Sequence, residues 1–272
     1  MNDLLRKIFI RFIPHSTPRV ITFTGGMGAQ IVSAAVYHAL REVGENVLAD
    51  LSYFDKTPHT ASPGIPGDCS HWSWQLDDFG ISQQSFETVV LTEKSKSHYI
   101  QDGEVKLQLG IDALRKTSIQ ARFPVQARVN DLLPVEFPSA YLCLHIRRGD
   151  YMNVASHLVG DEQFIGIAKK FSGLLDGLVV LSDSPISTDF RTCVIPLFTH
   201  IAWLDQLDAF SAHRLMRQAR ALVCSNSQFS LTAGLLNTQG LVLLPKTWFG
   251  SGHEAMENVV MGCCEFQTLG HF

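Results

Sequence analysis

The sequence predicts an α/β protein with two domains, the second of them built on a parallel sheet. In both halves of the chain, short apolar and β-branched runs alternate with segments of helical periodicity. In the second half, polar clusters follow three of the apolar runs, as is typical of the carboxyl ends of parallel strands. The 272 residues are long for one domain and sufficient for two. We place the boundary near residue 135, between a domain at 1–135 and a domain at 136–272.

The first half opens with a strand–turn–helix–strand unit. The β-branched run at 20–24 predicts a strand, and the glycines at 25–28 predict a tight turn. Apolar residues at helical spacing predict a helix over 29–43, which Gly44 ends, and a second strand follows at 46–51. Prolines and glycines make 56–73 irregular. Beyond it, the sequence predicts short strands at 88–91 and 98–100 and a helix at 112–121.

The second half alternates more regularly. Strands are predicted at 140–146, 178–181, 192–195, 221–224 and 240–244. Helices are predicted at 161–175, 206–220 and 229–237. Strand and helix alternation of this kind predicts a parallel sheet whose polar strand ends meet at one edge.

Composition excludes some classes of protein. A net charge of −4 argues against a general nucleic-acid binder. Six cysteines without a C-x-x-C pair predict a reduced, cytoplasmic protein without a zinc site. No apolar run reaches the roughly 18–20 residues that span a bilayer. The short, basic and apolar segment 4–13 either contacts the inner membrane surface as an amphipathic segment or packs on the domain as an ordinary leader.

The densest polar cluster lies between 144 and 151, at the end of the strand predicted at 140–146. His145, Arg147, Arg148 and Asp150 lie within six positions of one another. Because the arginine fork matches phosphate oxygens, this cluster predicts a phosphate site at a strand end. The alternative is a surface ion-pair cluster.

Two further strand ends support the phosphate interpretation. The helix start at 225–230, rich in small polar side chains, predicts an anion cradle, simple N-capping, or both together. Asp183, which follows the strand predicted at 178–181, offers a carboxylate to a base or a ribose, and its alternative role is to cap a turn. Together the clusters predict a nucleoside diphosphate site without a metal ion, since Walker-type and Asp-x-Asp motifs are absent and the arginines would neutralise the phosphates. The predicted donor-binding residues are His145, Arg147, Arg148, Ser182, Asp183, Ser225, Asn226, Ser227, Gln228 and Phe229, with Gly26 and Gly28 of the glycine turn.

Five segments, in order along the chain, resemble motifs of the α-1,2-fucosyltransferases (glycosyltransferase family 11) and their α-1,6- and protein O-fucosyltransferase relatives. Segment 145–151 is similar to the HxRRxD signature, and 25–30 is similar to GGLGNQ. Segment 76–81 resembles Leu-x-x-Phe-Gly-Ile, 181–184 resembles FSDD, and 225–230 resembles NSSFSWW. The chain departs from these motifs at Ala29, Ser184 and Leu231-Thr232.

The resemblance implies a GT-B fold, in which two Rossmann-like domains face each other across a cleft. It implies an acceptor-side first domain and a nucleotide-sugar-binding second domain. It also implies transfer of fucose from GDP-fucose, with inversion and without a metal or other cofactor, to a galactose-containing glycan, in surface polysaccharide synthesis. By position, Arg147 and Arg148 would contact the diphosphate, Ser227 to Phe229 would lie near the phosphates, and His145 and Asp183 would lie near the nucleoside.

The catalytic and acceptor residues are assigned by proximity. Asp150 is the nearest candidate for the general base, and His157 is the second, with Arg147 as the group that stabilises the leaving diphosphate. Trp72 and Trp74 are predicted to bind the acceptor sugar, although either Trp could equally anchor the loop to the core. The alternatives are transfer of another GDP-linked deoxysugar and a degenerate, non-catalytic nucleotide- or glycan-binding protein.

Overall fold

The chain folds into two compact units in a computed structural model. The first unit contains the described residues up to Pro124, and the second contains those from residue 132 onward. The change of unit therefore falls somewhat before the predicted boundary near residue 135. Segment 4–13, Trp72 and most of the irregular stretch 56–73 lie outside the described residues. The structure describes residues 17–55, 73–90, 97–101, 103–124, 132–153, 157–205, 207–246 and 269–271.

The first unit is a three-stranded parallel sheet with helices packed on it. The strands are β1 (Arg19–Thr22), β2 (Val47–Asp50) and β3 (His98–Ile100), in the spatial order β2-β1-β3. The helices are α1 (Met27–Glu42), α2 (Glu104–Leu114) and α3 (Thr117–Gln120). Helices α1 and α2 approach closely, because a Cβ added at Gly110 of α2 would lie 2.6 Å from Cγ1 of Val32.

The central part of the first unit is as predicted, and its later part is not. Strands β1, β2 and β3 and helix α1 form within a few residues of the predicted bounds. The single helix predicted at 112–121 is wrong, because two helices, α2 and α3, occupy this region. The buried Lys106 obscures the apolar face of α2 in the sequence, and its ammonium group donates to the Thr22 carbonyl at 2.8 Å. Within the described part of 88–91, only a single bridge forms, between Ala49 and Thr88.

The second unit is a six-stranded parallel sheet. Its strands are β4 (Tyr141–Ile146), β5 (Gly177–Ser182), β6 (His200–Asp205), β7 (Ala221–Val223), β8 (Leu241–Leu244) and β9 (Leu269–His271), in the order β6-β5-β4-β7-β8-β9. Its helices are α4 (Asp161–Phe171), α5 (Thr188–Val194), α6 (Ala209–Gln218) and α7 (Gln228–Leu235). Every residue of β4 and β5 is buried, which explains why both strands are nearly continuous apolar runs.

The strand predicted at 192–195 is wrong. Residues 188–194 form α5, which Ser187 caps by accepting a hydrogen bond from the Phe190 amide, and the next strand, β6, begins at His200. A short apolar run does not distinguish a strand from a buried helix segment. The prediction of two Rossmann-like α/β units with parallel sheets is confirmed.

Candidate functional site

The three polar clusters meet at one edge of the second sheet. Strands β5, β4 and β7 are adjacent and parallel, so their carboxyl ends, at Ser182, Ile146 and Val223, face the same edge. The residues that follow them are Arg147–Gly149, Asp183–Ser184 and Ser225–Phe229, which we call the strand-end cluster. The sequence-based expectation that these segments lie together is therefore realised by the register of the strands.

Asp183 joins the ends of β5 and β4. Its Oδ2 atom lies 3.0 Å from Nε of Arg147, and the two side chains are 24% and 20% exposed. Its Oδ1 atom accepts the backbone N–H groups of Arg148 at 2.7 Å and Gly149 at 3.2 Å. The Gly149 amide also donates to the Ser184 hydroxyl at 3.2 Å. Both carboxylate oxygens are thus engaged by the turn that carries the arginines, whereas the sequence-based prediction directs Asp183 to the nucleoside.

Gly149 is required by this close approach. A Cβ atom at position 149 would lie 2.6 Å from Oδ2 of Asp183, a separation that Cβ atoms do not tolerate. A side chain at this position would displace the carboxylate from Arg147. The glycine of the HxRRxD-like segment therefore serves the Asp183–Arg147 contact.

The two adjacent arginines have different surroundings. Arg147 lies in the strand-end cluster, with its guanidinium 5.4 Å from the ring centre of Tyr151. The Arg148 guanidinium donates to the carbonyl groups of Arg147 and Val159 and pairs with the carboxylate of Asp161 at the start of α4. The Arg148 side chain therefore links the end of β4 to α4, whereas the Arg147 side chain contacts the carboxylate of Asp183.

His145 is buried and neutral. Its Nδ1 atom lies 2.9 Å from the Ser225 hydroxyl, and its ring contacts the edge of Phe229 with centroids 5.5 Å apart. Burial lowers the pKa of His145 to about 3, and the charge of Arg147 adds to this effect. The imidazole consequently ties β4 to the start of α7 and does not add positive charge to the site.

Helix α7 starts directly after β7. Ser227 is its N-cap, and the hydroxyl group accepts a hydrogen bond from the Phe229 amide. The capping interpretation of this segment is therefore confirmed, and the helix start brings its positive dipole end to the same sheet edge. Gln228 and Phe229 form the first turn of the helix.

Asn226 fixes the segment that contains the candidate bases. The Tyr151 hydroxyl donates to the Asn226 carbonyl at 2.7 Å, and the Asn226 side-chain amide donates to the His157 carbonyl at 3.3 Å. The Tyr151 and His157 rings contact each other with centroids 5.2 Å apart. Asp150 lies in the 3-10 turn Gly149–Asn153, and its side chain is outside what the structure describes. The choice between Asp150 and His157 as the base stays a prediction.

The glycine turn of the first unit is closed by two glutamines that the sequence analysis did not single out. Gly25 has a φ of 70°, which favours glycine, and Gly26 is the N-cap of α1, so Gly28 lies in the first turn. The side-chain amide of Gln30 donates to the carbonyl groups of Gly25 and Ser73. The backbone N–H of Met27 donates to the side-chain oxygen of Gln75, and the backbone N–H of Gln75 donates to the side-chain oxygen of Gln30. Of these two glutamines, Gln30 could have been identified from the sequence, because it occupies the glutamine position of the GGLGNQ-like segment.

Trp74 is an anchor of the first unit. Its indole N–H donates to the Ile81 carbonyl at 2.9 Å, and its ring contacts Phe23, Phe54 and Phe86. These contacts are those of the alternative considered for Trp74, in which the ring attaches its loop to the core. They assign no acceptor contact to it.

Within the described ranges, no group of three or more His, Cys, Asp and Glu side chains could hold a metal ion. None of the helices that the structure describes combines the length and the apolar content needed to cross a membrane.

No protein-family model and no curated protein matches the chain. Similar solved structures include POFUT1 in complex with GDP-fucose, which is 12% identical with a TM-score of 0.47 over 84% of this chain and 96% of that one. The E. coli heptosyltransferase WaaC with ADP is 9% identical, with a TM-score of 0.43 over 92% and 97%. A glycosyl transferase of family 9 from Veillonella parvula is 10% identical, with a TM-score of 0.43 over 93% and 97%. At TM-scores below 0.5 these likenesses assign no activity, so the strand-end cluster has to supply the functional conclusion.

Proposed function

We propose that the protein is a GT-B glycosyltransferase that transfers fucose, or a related deoxysugar, from a GDP-linked donor to a hydroxyl group of a glycan. The observation that carries this proposal is the Arg147–Asp183 pair at the carboxyl edge of β4 and β5, beside the start of α7. Ligands of open parallel sheets bind at this edge. A guanidinium and a helix start favour phosphate oxygens.

The proposed reaction needs stabilisation of a departing diphosphate. The acceptor oxygen forms a bond to C1 of the sugar while the bond from C1 to the diphosphate oxygen breaks, and its electron pair stays on the diphosphate. Arg147 and the start of α7 would stabilise that developing charge, so that no metal ion is needed for it. The acceptor proton passes to a base, for which Asp150 and His157 are our candidates.

The finer assignments belong to the same proposal. The favoured acceptor is O2 of a galactose in a glycan, as the resemblance to the α-1,2-fucosyltransferases implies, with a product in surface polysaccharide. We place the protein in the cytoplasm, with segment 4–13 as a contact to the inner membrane face. Deletion of 4–13 should lower sedimentation with anionic liposomes without changing GDP affinity, and unchanged sedimentation would remove the membrane contact.

Calorimetry with GDP tests the donor site. We expect the wild type to bind GDP and Arg147→Ala to weaken binding roughly 10- to 100-fold, the loss for a charge-assisted hydrogen bond. Arg220→Ala is the matched control, because Arg220 directly precedes β7 and so lies at the opposite edge of the same sheet. Undetectable GDP binding, or equal affinities for the wild type and Arg147→Ala, would contradict the proposal.

A screen of GDP-sugars against simple galactosides, read by mass spectrometry, tests the transfer itself. A fucosylated product and stoichiometric GDP release are expected. GDP binding without transfer to any acceptor would identify the chain as a non-catalytic nucleotide-binding protein instead.

A further inference from the structure

Among the residues that the structure describes, the carboxylate of Asp183 makes three polar contacts, each to the turn after β4. Oδ2 contacts Nε of Arg147, and Oδ1 accepts the amides of Arg148 and Gly149. Asp183 itself follows β5, the neighbouring strand in register with β4. One side chain therefore links the ends of two strands and contacts the guanidinium that lies at their shared edge.

This contact restricts the orientation of the guanidinium. A carboxylate at Nε restricts rotation of the guanidinium plane, and the Tyr151 ring lies against the same group at 5.4 Å from its centre. An arginine side chain that is already fixed loses less conformational entropy when it binds a ligand. Gly149 leaves room for the carboxylate, since a Cβ there would lie 2.6 Å from Oδ2.

We infer that Asp183 is a positioning residue that sets Arg147 for the diphosphate of the donor, and that it does not recognise the nucleoside. The inference rests on the proposed function. It assigns Asp183 a role different from the one the sequence analysis predicts. It also explains why a carboxylate, which repels a diphosphate, lies beside the arginine that would bind it.

The direction in which Asp183→Asn changes GDP affinity distinguishes a positioning role from a purely electrostatic one. Asp183→Asn removes a negative charge near the proposed diphosphate site, so Coulomb's law alone predicts tighter GDP binding. Positioning predicts the opposite, because the amide NH₂ group of asparagine has to face one of the N–H donors that the carboxylate accepted. We expect GDP affinity to fall roughly tenfold, the coupling found between contacting groups.

A double-mutant cycle on GDP affinity tests the inference. In the Arg147→Ala background, Asp183→Asn should no longer weaken GDP binding, because the guanidinium that Asp183 positions is absent. Loss of the negative charge should then leave GDP affinity unchanged or raise it. A residue that recognises the nucleoside would lose the same factor in both backgrounds. Equal factors, or unchanged or tighter GDP binding by Asp183→Asn alone, would overturn the inference and leave the proposed function standing. Absence of GDP binding by the wild type would overturn both.

Gly149→Ala provides a second variant that leaves every charge in place. It should reproduce the loss of GDP affinity by displacing the carboxylate. Gly166→Ala in α4 is the matched control, because an added Cβ there meets nothing within 4 Å. Thermal unfolding of each variant establishes that it is folded. If Asp183→Asn does not fold, Gly149→Ala decides alone, and an unchanged GDP affinity in that variant would overturn the inference.

Discussion

His145 should make the folded protein less stable as the pH falls below neutrality. Burial lowers its pKa from 6.5 to about 3, with the charge of Arg147 as a second cause. Below pH 6.5 the unfolded chain therefore binds a proton at this residue that the folded chain does not bind. The stability that the neutral imidazole provides is complete above pH 6.5 and is lost progressively as the pH falls toward 3.

The structure sets the size of this effect. From pH 7 to pH 5, a histidine that titrates near 6.5 unfolded and near 3 folded costs about 2 kcal/mol of unfolding free energy. Urea unfolding followed by far-UV circular dichroism at the two pH values measures it. The wild type should lose about 2 kcal/mol more than His145→Asn between pH 7 and pH 5, whatever their absolute stabilities.

Ser225→Ala is the control that separates burial from hydrogen bonding. It removes the hydroxyl 2.9 Å from Nδ1 and leaves the imidazole in its buried position. Because burial is the main cause of the lowered pKa, this variant should be less stable at both pH values and retain the pH dependence of the wild type. If His145→Asn instead loses as much stability as the wild type, the imidazole is not held neutral by burial and our account of the site is refuted.

Two further predictions concern the first unit. Gly110→Ala should lower the unfolding free energy by about 1–2 kcal/mol, because the clash with Val32 exceeds the gain in helix propensity, whereas Gly166→Ala should not be destabilising; urea unfolding measures both. Trp74→Phe should lower stability by about 1 kcal/mol through loss of the hydrogen bond to Ile81 and leave the KM for an acceptor glycan unchanged. A raised KM at unchanged stability would restore Trp74 as an acceptor-binding residue.

The sequence predicted strands β4, β5, β7 and β8 of the second sheet, and the meeting of the three polar clusters at one edge, because both depend on local patterns. Strands buried on both faces are continuous apolar runs, and β4 and β5 are buried throughout. Parallel strands then bring the polar residues that follow them to one edge. Strand β6 lies at the end of the sheet and is only partly buried, so its apolar pattern is weaker and the sequence analysis missed it.

The roles of the individual side chains could not be predicted in the same way. Arg147 and Arg148 are adjacent, and adjacent residues in extended backbone project to opposite sides. That rule separates them without saying which one meets Asp183 and which one meets Asp161. Asp183 lies 36 positions from Arg147 and Asp161 lies 13 positions from Arg148, and the packing of β5 and α4 against β4 determines both pairings. The partner of Arg148 could have been sought at Asp161, because Asp161 lies in the first turn of a predicted helix.

Three arginines of the second unit, each in an ion pair, indicate how such a site could select its ligand. Arg147 pairs with Asp183, Arg148 with Asp161, and Arg191 with Asp205. Each pair is formally neutral, and His145 is uncharged, so these side chains contribute little net charge to attract anions in general. Attraction to a diphosphate then depends on the direction of one fixed guanidinium and on the start of α7. A site of this kind should bind GDP with a weak dependence on salt, and a steep salt dependence would instead indicate attraction by net charge.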